Sequence, residues 1–271
     1  MAGAFPYKEF LPIVSDGIRL RNRVPRMVDY VLRVGSHSAQ GTRAKNEDRF
    51  VVDPINRIYL VADGMGGQER GEQASGMAAD IIPRSVQNHL AAKMDAAQAV
   101  QQALYDANQA IVEAGRTQPP ERRMGTTAVL ALQLEDRLFV AGLGDSRAYL
   151  IRAKQVEQLT VDHSVAQSLV SNGVMSEEEA RHSPWQHVLH KFLGCAEMRE
   201  GAEVRPLTPQ AGDRVLLASD GLTNHIYEKD LVDGSRVFPD PQRWAEYLVS
   251  LALRRGSRDN VTCVVLAFDS E

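Results

Sequence analysis

Apolar runs of strand length come in two batches along this 271-residue chain, and each batch gives way to stretches with helical spacing. Tyr30–Gly35, Phe50–Asp53 and Arg57–Ala62 form the first batch, the last two joined by a Pro54-Ile-Asn56 turn. Thr126–Leu134, Leu138–Leu143, Arg147–Arg152 and Gln155–Thr160 form the second, with connections short enough to predict an antiparallel meander. Strands are also expected at 203–207, at 214–219 and over Val261–Phe268; the last is apolar on both faces and should be central and covered. A doubly wound parallel sheet needs regular strand–helix alternation, which this order lacks. The expected class is therefore α+β, two packed antiparallel sheets with helices outside.

Two long helices follow the first batch. Glu72 to about Leu90 is expected to kink or break near Pro83, because proline removes a helical donor and clashes with the preceding turn. Ala96 to Ala114 places Val100, Ala103, Leu104, Ala107 and Ile111 on one face, with Gly115 as its C-cap. Ser176 to Glu179 reads as an N-cap with an acidic first turn. Asp240-Pro241 reads as an N-cap followed by proline at the first helical position, in a helix ended by Arg254-Arg-Gly256. Residues 1–29, with Pro6, Pro12 and Pro25, lack periodicity and are expected to be an N-terminal extension; 30–271 is expected to be one domain.

A net charge of −4 argues against a nucleic-acid partner, which usually needs a basic stripe. Arg19, Arg21, Arg23 and Arg26 cluster locally, and a solvated face is the plain reading. Cys195 and Cys263 stand far apart in apolar settings, which fits a reducing compartment and offers neither a disulfide framework nor a zinc knuckle. No segment reaches the ~20 apolar residues that span a bilayer, and Met1–Glu9 has no signal-peptide pattern. The expectation is a cytoplasmic monomer with no membrane partner.

Tyr59-Leu-Val-Ala-Asp63-Gly64 and Val215-Leu-Leu-Ala-Ser-Asp220-Gly221 read alike: an apolar run stops on Asp and is followed by Gly. The run Leu138–Gly144 ends on Asp145, the run Val261–Phe268 begins just after Asp259, and Glu47-Asp48 precedes the strand at Phe50. Any one Asp-Gly is most often a hairpin turn. An Asp at the edge of a buried strand is nevertheless costly unless its charge is compensated. If the strands of Asp220 and Asp259 are antiparallel neighbours, their carboxylates meet at one rim and repel unless cations intervene. Oxygen ligands without His or Cys select Mg²⁺ or Mn²⁺, and Gly64, lacking Cβ, lets its carbonyl approach an ion.

Seven motifs occur in order: Asn46-Glu-Asp-Arg-Phe50, Val61-Ala-Asp-Gly-Met-Gly-Gly67, Gly125-Thr-Thr127, Gly144-Asp-Ser-Arg-Ala-Tyr149, Asp162-His-Ser164, Ser219-Asp-Gly221 and Arg258-Asp-Asn-Val-Thr262. From about Val34 to Phe268 the chain resembles the metal-dependent protein phosphatases (PPM, type 2C), particularly the bacterial serine/threonine phosphatases. The resemblance implies an αββα sandwich and a binuclear Mn²⁺/Mg²⁺ centre that activates water for direct in-line attack on a phosphoryl group. By position, Asp63 would bridge both ions, the Gly64 carbonyl would bind the second, and Asp220 and Asp259 would hold the first. Glu47 and Asp48 would act through water, and Asp145 with Asp220 would match a third metal. Arg43 would clamp the substrate phosphate, a task suited to its planar fork. The implied partners are phosphorylated proteins, a Ser/Thr kinase and its substrates. A regulatory relative acting on anti-sigma-antagonist proteins and a catalytically dead binding module are the competing readings; the complete carboxylate set speaks against the second.

Met65 stands where some relatives have a His thought to protonate the leaving alcohol, which leaves the general acid unassigned, with water as the default. Residues 163–195 resemble the family's flap, which affects substrate choice, although Gln186–Gly194 departs from the usual Asn and Thr-Arg residues there. His182, His187 and His190 invite a zinc reading, and polar flap residues are the preferred one. Asp162-His163 is read as capping the first flap helix. A Cys-x5-Arg nucleophile loop would need Arg at positions held by Gly201 and Asp269, and no Asp-x-Asp pattern occurs.

Overall fold

The computed structural model describes residues 30–66, 70–117, 119, 124–196, 198 and 201–270, so the expected extension over 1–29 lies outside the described residues. Two antiparallel sheets face each other. The first runs in the order β1 (Val31–Ala39), β11 (Val261–Asp269), β10 (Arg214–Ala218), β7 (Arg147–Arg152), β8 (Gln155–Gln158). The second runs β2 (Asp48–Asp53), β3 (Ile58–Met65), β5 (Ala128–Leu134), β6 (Arg137–Leu143), β9 (Val204–Leu207), with the short β4 (Gly125–Thr126) beside β3.

Alternation along the central strands assigns each side chain to a layer. Ile58 and Leu60 of β3 enter a core with Leu130, and with Ile82 and Leu104 of the paired helices α1 (Arg70–Ala91) and α2 (Ala96–Gly115). Tyr59 and Val61 point the other way and meet Val129, Leu217, Val264 and Phe268 between the sheets. Leu216 and Val265 turn outward to Trp244 and Leu248 of α7 (Pro241–Arg254). Three apolar layers thus separate four structural ones, the expected αββα sandwich. Every residue of β11 but the last is buried, and it lies between β1 and β10, the covered interior place its composition predicts.

Several local expectations are corrected. The meander divides: β5 and β6 pair in one sheet, β7 and β8 in the other. The chain changes sheets at Gly144, whose φ of +98° suits glycine and where a β-carbon would sit 2.6 Å from Thr127 Cγ2. The run from Thr126 to Leu134 is interrupted at Thr127, which turns to Asp63. Helix α1 passes through Pro83 as one 22-residue helix. Pro83 costs about 3 kcal/mol in a helix interior, and burial of Ala78, Ile82 and Val86 on the same face offsets it. Gly115 is the last helical residue of α2, with the cap at Arg116 in right-handed helical geometry, so it is not a left-handed C-cap.

Between β8 and β9 lie two short flap helices, α3 (Val165–Ser171) and α4 (Glu177–Arg181). The Ser176–Glu179 capping box is present as expected. Ser164, not Asp162 or His163, caps α3. Two further helices, α5 (Asp220–Thr223) and α6 (Glu228–Val237), fill the stretch between β10 and α7, where none is predicted.

Candidate metal centre

An open cleft of about 1410 Å³ lies at one end of the two sheets, lined by Glu47, Asp63, Gly64, Asp145, Asp220 and Asp259 among others. Strand pairing brings them there. Asp48 and Asp63 face each other directly across β2 and β3. Strands β10 and β11 are antiparallel with Ala218 opposite Cys263. Asp220, just past the end of β10, therefore lies near Asp259, just before the start of β11. Asp145 comes from the turn at which the chain changes sheets. Asp63 is not past its strand but inside it, since β3 continues to Met65.

Polar residues behind the rim fix the carboxylates. Asp63 donates its N–H to Thr127 Oγ1 at 2.9 Å, and its carbonyl accepts from Thr127 N and Thr126 Oγ1, each at 2.9 Å. Thr127 Oγ1 also meets Ser146 Oγ at 2.7 Å, which ties Asp63 to the residue after Asp145. Ser219 Oγ donates to Asp48 Oδ2 at 2.9 Å. Asn260 clamps the loop before β2: its Nδ2 donates to the carbonyls of Gln40 (2.8 Å) and Lys45 (2.9 Å), and its Oδ1 accepts from Glu47 N (2.8 Å). Gly64 is required for a second reason, because a β-carbon there would lie 2.2 Å from the Gly71 carbonyl oxygen and 2.7 Å from that of Glu47. The backbone of α1 can approach the rim this closely only past a glycine.

The charges do not balance without a ligand. Burial, then the charges of Asp48, Asp220, Asp145 and Asp259, hold Asp63 well above the usual carboxylate range. Burial pushes Asp48 up to about 6 against the hydroxyls of Thr262 and Ser219, and pushes Asp145 up to about 7 with help from Asp220 and Asp162. Burial likewise raises Glu47. Asp220 goes the other way: burial works against its charge, but His187, a hydrogen bond with Asp63 and the charge of Arg147 outweigh it and hold the group below its usual range. Like charges directly opposite in a sheet destabilise it, and the buried Asp48 Oδ1 finds no hydrogen-bond donor among the described residues. A converging, oxygen-rich set with an unpartnered buried carboxylate oxygen fits hard divalent cations.

All eight candidates meet at this end of the sandwich. Arg43 stands at the mouth with its side chain 61% exposed and Nη2 2.6 Å from Asp259 Oδ2. The three flap histidines do not cluster. His182 Nδ1 meets the Glu178 carbonyl, and His190 Nε2 meets Ser168 Oγ. His187 instead reaches into the cleft, with Nδ1 3.4 Å from Asp220 Oδ2. One ligand atom each from Asp145, His187 and Asp220 lies within 4.8 Å of the others. Spacing gives no sign of this, because the flap's path decides which histidine faces the rim. Asp162-His163 also differs from its capping reading. Asp162 takes a bidentate pair from Arg147, with contacts of 2.6–3.0 Å, and His163 accepts from Gly144 N through Nδ1 at 3.2 Å. Asn260, Thr127 and Ser219 lie within recognised motifs, yet their clamping roles need the fold to be seen.

The protein phosphatase 2C family profile matches residues 35–258. The chain is 35% identical over 243 residues to the serine/threonine protein phosphatase PstP of Mycobacterium tuberculosis, covering 88% of this chain and 45% of that protein. It thus spans under half the length of that relative. It is 31% identical over 233 residues to the serine/threonine phosphatase stp of Listeria monocytogenes, covering 84% of this chain and 92% of that one. The solved catalytic domain of PstP in complex with two manganese ions superposes with a TM-score of 0.75 at 32% identity, over 89% of this chain and all of that one. Matched over most of its length in both sequence and fold, the chain belongs to the protein phosphatase 2C family.

Proposed function

We propose that this chain is a metal-dependent phosphoserine/phosphothreonine protein phosphatase, its domain spanning 30–271 with a flap over 163–195. The observation that carries the reading is the direct pairing of Asp48 with Asp63 at a rim that also gathers Glu47, Asp145, Asp220 and Asp259. Such a concentration of carboxylates carries its full charge near neutral pH only with bound cations. Asp63 would be shared by two ions, the second also held by the Gly64 carbonyl and the first by Asp220 and Asp259. Glu47 and Asp48 would hold coordinated water, and Asp145 with Asp220 would hold a third ion. Mn²⁺ or Mg²⁺ suits this set; when bound, such ions supply an activated water near neutral pH and neutralise charge on the phosphoryl oxygens.

The chain's own residues supply position. Arg43 has further N–H groups beyond the one on Asp259, and its exposed fork at the mouth can take two phosphoryl oxygens and turn phosphorus toward the rim. Asn260 holds the loop carrying Arg43 and Glu47, and Thr127 holds Asp63, so the two sides of the cleft keep a fixed separation. No side chain need bond to phosphorus, and water protonates the leaving alcohol because Met65 cannot. The substrates are phosphorylated proteins of a Ser/Thr kinase that the enzyme opposes, and the setting is cytoplasmic signalling by a monomer. Among the described residues no helix is long and apolar enough to cross a membrane.

The test is hydrolysis of p-nitrophenyl phosphate and phosphothreonine peptides. Turnover should require Mn²⁺ or Mg²⁺, vanish in EDTA, and be abolished by Asp63→Asn and by Asp220→Asn with the fold intact. Turnover that survives EDTA, or near-normal rates in both variants, would overturn the reading.

A further inference from the structure

We propose that flap residue His187 supplies a nitrogen ligand to a cation at Asp145 and Asp220, making this position selective for a transition metal and tying the flap to its occupancy. The inference rests on the metal-centre reading above and extends it to a residue outside the carboxylate set. The three side chains come from separate segments: the turn between β6 and β7, the start of α5, and the flap. Even so, their ligand atoms converge within 4.8 Å. His187 Nδ1 lies 3.4 Å from Asp220 Oδ2, a long contact for a direct hydrogen bond and one with room for an ion to be shared.

Two further observations favour a ligand over a loose surface contact. The other ring nitrogen, Nε2, is held at 2.8 Å by the side-chain amide of Gln186. The amide nitrogen donates to Nε2, so the ring proton sits on Nδ1 toward Asp220, and a cation at the two aspartates would displace that proton and take the Nδ1 lone pair. The contact holds the ring with Nδ1 facing the two aspartates. The flap is also stitched to the turn that carries Asp145. His163 N donates to the Gly144 carbonyl at 2.8 Å, Gly144 N donates back to His163 Nδ1, and His190 N donates to the His163 carbonyl at 3.0 Å. Val165 N donates to the Val188 carbonyl at 2.8 Å. His187 is therefore placed by the same backbone ladder that places Asp145.

Two carboxylates with one imidazole suit Mn²⁺, Co²⁺ or Zn²⁺ better than Mg²⁺, which prefers oxygen alone. The other ions would keep oxygen ligands, so the position at His187 should discriminate where they do not. Trp185 is two residues from His187 and 49% exposed, whereas Trp244, the other tryptophan, is fully buried. Acrylamide quenching of tryptophan fluorescence therefore reports on the flap.

The experiment titrates the metal-stripped full chain with Mn²⁺ and separately with Mg²⁺. Bound Mn²⁺ is counted by the loss of the free-ion electron paramagnetic resonance signal, and Trp185 quenching is followed alongside. The expected result is three Mn²⁺ sites, with quenching falling as the weakest fills. In His187→Ala that site should bind Mn²⁺ at least roughly tenfold more weakly and the quenching response should disappear, while Mg²⁺ binding changes less than about twofold. Unchanged Mn²⁺ affinity in His187→Ala, an equal loss for Mg²⁺, or only two Mn²⁺ sites would overturn the inference and leave the phosphatase reading standing. Binding of no Mn²⁺ at all would overturn both.

Discussion

Asp48→Asn should stabilise the metal-free protein at neutral pH. The carboxyl is 3% exposed, one oxygen accepts from Ser219, and the other has no donor among the described residues. Burial raises it from 3.8 to about 6, a rise worth about 3 kcal/mol against the folded state once the group is charged. The native carboxyl takes up its proton below about pH 6, the unfolded one only below 3.8. Between those values the folded chain holds more protons, so stability falls as pH rises, and the full cost is present above pH 6. Asparagine keeps the shape and an acceptor for Ser219 without the charge. Urea unfolding in EDTA should therefore show the variant about 3 kcal/mol more stable at pH 7, the gap closing as pH falls toward 4. Millimolar Mn²⁺ should narrow the gap at pH 7 to the extent that the variant, without the carboxylate that holds coordinated water, binds the ion more weakly: an ion at about 100 times its Kd stabilises the wild type by about 2.7 kcal/mol and a weaker binder by less. A variant no more stable than wild type at pH 7 in EDTA would refute the claim that an uncompensated buried charge sits at this position.

Gly64→Ala should lower Tm by several degrees in calorimetry, since its β-carbon would lie 2.2 Å from a backbone oxygen that cannot rotate away and overpacking of this kind costs about 1–3 kcal/mol. Asp162→Asn leaves the Arg147 guanidinium without its bidentate partner; a loss of about 3 kcal/mol is expected by urea unfolding, the low end for a broken buried pair because Arg147 is partly exposed. Arg43→Ala should chiefly raise KM for p-nitrophenyl phosphate, through lost phosphate binding. A pure kcat defect would count against the clamp.

The sandwich and the carboxylate rim were legible because both are written in local pattern. An apolar run names a strand, and an Asp at its end names a charge that needs a partner. Long-range choices were not legible. Nothing around Asp145 says that the chain leaves one sheet for the other, since β6 and β7 are separated by the same kind of short turn as a hairpin. Pro83 carries a local helix-breaking signal that burial against α2 overrules. Asn260 and Thr127 stood in recognised motifs, but each acts on backbone groups far away in sequence, so their duties follow from the fold. His187 was hidden among three histidines of equal local merit.

The flap leaves and rejoins the core at two stitched points, His163 on Gly144 and Leu193 on Thr126, the latter by reciprocal bonds of 2.9 Å. Both anchors sit beside the rim, so the segment between them is a closed excursion whose ends are set by the scaffold. Residues 165–186 contribute none of the carboxylates and pair with none of the named strands. That stretch can therefore be lengthened, shortened or rewritten without re-registering a strand or displacing Asp63, Asp220 or Asp259. The scaffold fixes where the excursion begins and ends, and leaves its middle free of any duty to the sheets.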